Sequence, residues 1–283
     1  MTMCQVIKNR QGVIIMKKTN DRIRIFTARI LFVIAIMGVW EYTAKSGVLG
    51  NKSELIFPPL ETIMEAFVRN FQKGYAGISL WVYIWNSMRL LLEGLVIGIA
   101  LAFLLSGLAM VNKIFYDLYN LMVSVCDLLP GVALLPVIII IFGVKPGVIV
   151  FLVIHAVLWP MSRNILDGFQ AVPGIYIEAG KNIGLNSLAL LWGIYLPATT
   201  SYIISGLKVG WARAWRGLIS AEMIFGVAAC PGIGLFINQM RTSMNNAEMY
   251  ATLIVIIIIG VAVQYGILSP IEKCTVKKWG ISK

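Results

Sequence analysis

The apolar stretch from Thr199 to Phe225 carries four charges: Lys208, Arg213, Arg216 and Glu222. Charges in such a segment are costly in a bilayer and turn toward a bundle interior or a water-filled cavity. At 100° per residue, Lys208, Trp211, Trp215 and Glu222 fall within about 60° of one another on a helix. Arg216 lies to one side of that stripe and Arg213 further round. One face then combines a cation, two indoles and a carboxylate, a set suited to weak contact with a passing polar solute. Asp127, in an earlier apolar segment, is a further candidate for the lining of such a path. Plain packing explains the same residues differently. Lys208 then reaches the membrane edge, Arg216 pairs with Glu222 or Asp127, and the tryptophans fill the bundle. The residue types admit both readings.

Little else in the chain offers covalent chemistry. His155, the single histidine, stands in the apolar run FLVIHAVLWP, where it serves helix packing or contacts protons or solute. Cys4, Cys126, Cys230 and Cys274 are far apart and form no CxxC pair, which argues against a metal site or a disulfide framework. PGIGLFINQM (231–240) has the glycines of a nucleotide loop but lacks its Lys and Ser/Thr. HExxH, GxSxG and Walker sequences are missing, so no catalytic residue is expected.

The elements that position these residues follow from composition. Of 283 residues, 59% are hydrophobic and 13% charged, with a mean hydropathy of +0.83. Soluble domains carry about 25% charged residues. An all-α polytopic membrane protein with one membrane domain is expected. Apolar runs predict six spans, at about 26–44, 87–110, 118–142, 147–165, 199–225 and 250–271. Asp127, Pro130 and Pro136 interrupt the third, and freed backbone groups there need protein or cavity water around them. FPPLETIMEAFVRNF (57–71) spaces Leu60, Ile63, Met64, Phe67, Val68 and Phe71 as an amphipathic surface helix. Gly94, Gly98 and Ser106-Gly107 fit close helix packing, and Glu41, Glu93 and Asp127 fit interhelical pairing.

The net charge of +11 collects at the ends. Residues 1–25 form a basic arm with Lys8, Arg10, Lys17, Lys18, Arg22 and Arg24, and Arg29 follows at the start of the first span. Residues 272–283 form a basic tail with Lys273, Lys277, Lys278 and Lys283. Flanking charge of this kind sets topology and puts both termini in the cytoplasm; nucleic acid is not an expected partner. Met16 offers an alternative start to Met1, and the first span reads as retained rather than as a cleaved signal. Loops 45–85 and 226–249 then face outward, and 166–197 faces inward.

That inward loop contains EAGKNIGLNSLALLWGIYLP (178–197), apolar enough to suggest another span. A span there would leave only Ala198–Thr200 for the turn into the next one and would move the basic tail outside. Two short helices around a turn at Gly184–Asn186 are expected instead, with Leu185, Leu188, Leu190 and Leu191 packing on the bundle or on a partner. The sequence resembles the EAA signature of binding-protein-dependent ABC importer permeases: Glu-Ala-Ala, three residues, Gly, nine residues, Ile, one residue, Leu-Pro. Glu178, Ala179, Gly180, Gly184, Ile194, Leu196 and Pro197 keep that register; Gly180 replaces alanine and is expected to loosen its helix turn. FPPLETIMEAF, LLPGVALLPVIIIIFGV (128–144) and ISGLKVGWARAWRGLISAEM (204–223) are similar to segments of the nitrate/sulfonate/taurine branch.

The resemblance implies a type I ABC importer permease, a bacterial inner-membrane transport subunit that does no chemistry. Glu178, Ala179, Gly180, Gly184, Leu185, Ile194, Leu196 and Pro197 would form the coupling loop within 166–197, with the small residues allowing close approach of an ATPase. The implied partners are two cytoplasmic ATPase subunits, an extracytoplasmic binding protein, membrane lipid and a second permease copy, identical or similar. No cofactor is implied for this chain, since ATP and Mg bind the ATPase. The cargo implied is a small solute such as a sulfonate, taurine or nitrate. The alternative class is an ion-coupled secondary transporter, which would want inverted repeats and a carboxylate–histidine relay.

Overall fold

The computed structural model describes residues 3–47, 50 and 53–276, with side chains from Arg24 onward apart from residues 53, 54 and 276. The tail cations Lys277, Lys278 and Lys283 and the side chains of Lys8, Arg10, Lys17, Lys18 and Arg22 lie outside the described residues. The chain divides into two units, Met1–Glu65 and Ala66–Lys283.

In the first unit, α1 (Met3–Lys45) is one helix whose stretch Arg24–Lys45 is apolar and long enough to span a membrane. The basic arm expected before residue 26 is helical from Met3 and continuous with that span. A short α2 (Ser53–Ile56) follows, and α3 (Leu60–Gln72) begins in this unit. Glu41 pairs with Lys45 at 2.6 Å and accepts the Leu60 N–H at 3.0 Å, so one carboxylate both ends α1 and caps the start of α3. The Trp40 indole donates to the Pro58 carbonyl at 3.0 Å and meets Phe57 edge-on. Glu41 thus joins two helices as its position suggested, through a backbone N–H of α3.

In the second unit, the end of α3 packs Phe67 on Phe71 and Phe71 on Trp81. Met64 of the first unit and Val68 of the second, placed on the apolar face by periodicity, are 59% and 49% exposed; in the second unit Ala66 and Asn70 are buried. Asn70 donates to Thr252 and Arg69 pairs with Glu248. The remaining helices are α4 (Leu80–Ala109), α5 (Lys113–Cys126), α6 (Gly131–Phe142), α7 (Pro146–Gln170), α8 (Gly174–Asn182), α9 (Ser187–Leu190), α10 (Leu196–Ala198), α11 (Thr200–Ile224), α12 (Ile233–Thr242), α13 (Asn246–Val263) and α14 (Ser269–Val276). Wider π turns at Leu191–Tyr195 and Gln264–Leu268 join α9 to α10 and α13 to α14.

Among the described residues, four helical stretches are long and apolar enough to cross a membrane: Arg24–Lys45, Leu80–Ala109, Pro146–Gln170 and Asn246–Thr275. Two bent pairs raise the number to six: α5 with α6, at 100°, and Ser187–Ala198 with α11, at 71°. The third predicted span is therefore broken, at 127–130, while Pro136 is absorbed inside α6. Pro130 lacks an N–H and takes an extended backbone, which fits the entry to a helix and not its interior.

Helix α7 lies between α4 and α11. A methyl added at Gly94 would stand 2.6 Å from Val153 Cβ, and one at Gly98 3.2 Å from Val157 Cβ. On the other side, Gly206 faces Asn164 at 2.9 Å and Gly210 faces Val157 at 3.4 Å. With lipid outside, helices gain from close van der Waals contact, and small residues permit it. Leu92, Val96 and Leu104, on the opposite face of α4, stay exposed. Glu93 pairs with Arg89 on its own helix at 2.8 Å, contrary to the expected interhelical role. An i,i+4 partner is always in reach and asks for no second element.

Candidate functional site

The loop with the sevenfold motif match folds as two short helices around a tight turn. The Leu185 N–H bonds Gly180 O at 3.1 Å, and the Gly184 N–H bonds Lys181 O at 2.9 Å. This is a Schellman end to α8 with Gly184 at the left-handed position, φ +81°. The Asn186 side chain then accepts the Ala189 N–H at 2.8 Å and starts α9. The glycine at 184 is demanded by its own backbone; nothing stands within 4 Å of a Cβ built there.

Gly180 has a different task from the one its helix propensity suggested. It is buried, and a Cβ there would stand 2.6 Å from both Ile194 and Leu190. The missing side chain seats the second short helix against the first, so it tightens the loop. Leu185 and Leu191 are half-buried and Leu190 is buried, while Leu188 stays 64% exposed. Tyr195 meets Phe169 edge-on, and Thr199 and Tyr202 close on Gly168, fixing the loop to the end of α7. Ile194, Leu196 and Pro197 occupy the half-buried bend into α11. Glu178 and Ala179 are exposed, on a loop surface that also presents Ile175, Tyr176, Ile183, Leu188 and Trp192. On a surface that faces water, clustered apolar side chains mark a protein or membrane contact.

The charged stripe of α11 resolves into three settings. Lys208 pairs with Glu272 of α14, at the start of the C-terminal tail. Trp211 and Trp215 stack in parallel, with centroids 6.1 Å apart, and are buried; Gly260 leaves room for the Trp215 indole. Glu222 is 1% exposed. Its carboxylate accepts the Ser87 hydroxyl at 2.8 Å and the Gly234 N–H at 2.9 Å, and the same hydroxyl accepts the Ile233 N–H at 2.8 Å. Glu222 thus sits at the N-terminus of α12, where a helix favours negative charge. The stripe expected to line a path is, for Trp211, Trp215 and Glu222, interior packing. The glycines of PGIG, unexplained by the sequence, make room for this carboxylate: a Cβ on Gly232 would overlap it.

The neighbouring face of α11 opens on a cavity of about 410 Å³ at the break between α5 and α6. Asp127, His155, Arg213, Arg216 and Ser220 line it with Trp159. Asp127 accepts from Arg213, and Arg163 stands 4.0 Å away on its other oxygen. Asp127 therefore does pair across helices, with Arg213 rather than Arg216. Arg216 is exposed and donates to the Ala212 carbonyl of its own helix at 3.0 Å. Of the proposed path residues, Asp127 and Arg216 are the two that reach this cavity. Ser220 had no sequence signal, since it reads as ordinary packing, whereas Arg163 carried the same signal as Arg213, a charge inside an apolar span, and was missed.

Residues 94–268, well over half of the chain, match the family described as the binding-protein-dependent transport system inner membrane component. This chain is a member of that family. The permease is 28% identical over 194 residues to the nitrate import permease protein NrtB of Synechocystis sp., covering 67% of this chain and 68% of that one. It is 25% identical over 224 residues to the taurine transport system permease protein TauC of Escherichia coli, covering 76% and 78%. Its fold matches a chain of the MetNI methionine ABC transporter in inward-facing conformations, with a TM-score of 0.54 and 17% identity, over 75% of this chain and 98% of that chain. It is a non-catalytic, multi-pass membrane subunit that works with separate ATPase subunits and a substrate-binding protein. The secondary-transporter alternative has no support in this membership.

Proposed function

We propose that the permease imports a small oxyanion, nitrate or an organic sulfonate such as taurine, and that loop 174–198 couples it to the ATPase. The observation that carries this reading is the loop itself: a rigid pair of short helices, locked by Gly180 and Gly184, with Glu178 on an exposed apolar surface. A force-bearing element must be short and stiff, and a carboxylate fixes its orientation by a charge-assisted bond. In this reading the loop and both termini face the cytoplasm, and residues 226–249 face the binding protein. In the same reading two copies of the permease enclose the path between them.

The test is purification of the permease with its cognate ATPase and binding protein, for wild type, Glu178→Ala and Ile183→Glu. Ile183 is 77% exposed, so its replacement leaves the fold intact. Loss of ATPase co-purification or of binding-protein-stimulated hydrolysis, with the permease still monodisperse, supports the coupling role. An ATPase that binds and responds as in wild type in both variants overturns it.

A further inference from the structure

We infer that the cavity at the α5–α6 break is a weak binding site for an oxyanion, with Arg216 as its ligand and Asp127 as the residue that keeps Arg213 out of it. The inference rests on the importer reading for its physiological meaning, but not for its test. Four features carry it. The cavity lies where backbone leaves helical geometry inside an apolar segment, an arrangement tolerated where the chain is buried in protein or lines a water-filled space. Its volume, about 410 Å³, exceeds that of a nitrate or a small sulfonate, which leaves water beside the ion. Its charged groups are unbalanced: the Asp127 carboxylate is engaged by Arg213, with Arg163 on its far side. Arg216 remains, and among the described residues its guanidinium bonds only a carbonyl of its own helix.

A guanidinium in an apolar segment is costly without a counter-charge. Its planar fork matches two oxygens of a nitrate or sulfonate. His155 and Ser220 line the same space and supply further hydrogen-bonding groups. The paired Arg213 is what keeps the site weak. Two free guanidiniums would hold an anion tightly and stall release, whereas one, in a wet cavity, lets it pass. Among the described residues that line the cavity, the Asp127–Arg213 pair leaves Arg216 as the one cation without a carboxylate.

The experiment is the thermal stability of the purified permease in detergent with sodium nitrate, sodium methanesulfonate or sodium chloride at equal ionic strength. Wild type, Arg216→Gln, Arg216→Lys and Asp127→Asn are compared. An anion bound to the folded state raises the midpoint in proportion to its occupancy. Nitrate and methanesulfonate are expected to raise the wild-type midpoint by a few degrees over chloride. That increment should vanish in Arg216→Gln, persist in part in Arg216→Lys and grow in Asp127→Asn. Without added oxyanion, Arg216→Gln should be at least as stable as wild type, since it removes an uncompensated charge. No oxyanion increment in wild type, or an equal one in Arg216→Gln, overturns the proposal. So does a change in the elution volume of Arg216→Gln without anion dependence, which would assign the guanidinium to contact between copies. These readouts need no ATPase, so they fail or succeed independently of the coupling test.

Discussion

Replacing Glu222 with alanine should release α12 from the bundle. The carboxylate is the acceptor for the Ser87 hydroxyl and the Gly234 N–H, both in a buried setting. Each buried donor left without a partner costs about 1–3 kcal/mol, so the loss is about 2–6 kcal/mol before any cavity is counted. Glu222→Gln keeps one acceptor oxygen and should cost about half as much, because one of the two donors is still served. Ser87→Ala strips the hydroxyl from both the carboxylate and the Ile233 N–H, so it belongs in the same range as Glu222→Ala. The double variant should fall short of the sum of the singles by about 0.5–3 kcal/mol, the range for residues sharing one network. Hydrogen exchange along 233–242 in the detergent-purified permease reads this locally. A local cost of 2 kcal/mol multiplies the open population about thirtyfold. Protection in α7 should change far less. If Glu222→Ala leaves exchange in α12 at the wild-type level, or if the two singles add without coupling, the clasp does not hold this segment and the argument fails.

Other substitutions probe the remaining links. Gly184→Ala places a side chain at φ +81°, which costs about 1–2 kcal/mol in a left-handed conformation; it should lower thermal stability modestly and weaken ATPase co-purification. Gly180→Leu drives a side chain into Leu190 and Ile194 and should splay the loop, measured as faster proteolysis within 174–198, whereas Ala at the same place should be milder. Gly94→Ala sets a methyl 2.6 Å from Val153 Cβ and should destabilise the α4–α7 contact by about 1–3 kcal/mol, with Val153→Ala restoring part of the loss. Glu272→Gln leaves Lys208 without its carboxylate and should loosen α14 from α11, seen as faster maleimide labelling of the exposed Cys274.

Much of this protein was legible in residue order because the forces involved are local or periodic. Apolar runs such as 87–110 and 147–165 had to be helices, since a bilayer offers no partner to an unbonded peptide group; the helices themselves reach further, from Leu80 and to Gln170. The turn at Gly184 was readable because a Schellman end is written in adjacent residues. An interruption by Asp127, Pro130 and Pro136 was readable because proline removes a hydrogen bond from the helical ladder, but not which of them breaks the segment: Pro136 stays inside α6 and the break falls at Asp127–Pro130. Periodicity also placed Lys208, Trp211, Trp215 and Glu222 on one face of α11. It does not say what that face meets. The tertiary structure alone turned the stripe inward, gave Glu222 the Ser87 hydroxyl 135 positions away, and gave Asp127 to Arg213 across 86 positions. It also moved the cavity to the neighbouring face and changed Gly180 from a weak spot into a seat for Leu190 and Ile194. The physical reason is that spacing along a helix sets a side chain's direction. Its partner depends on how helices joined by distant loops come to pack, and for buried charges the partner decides the role.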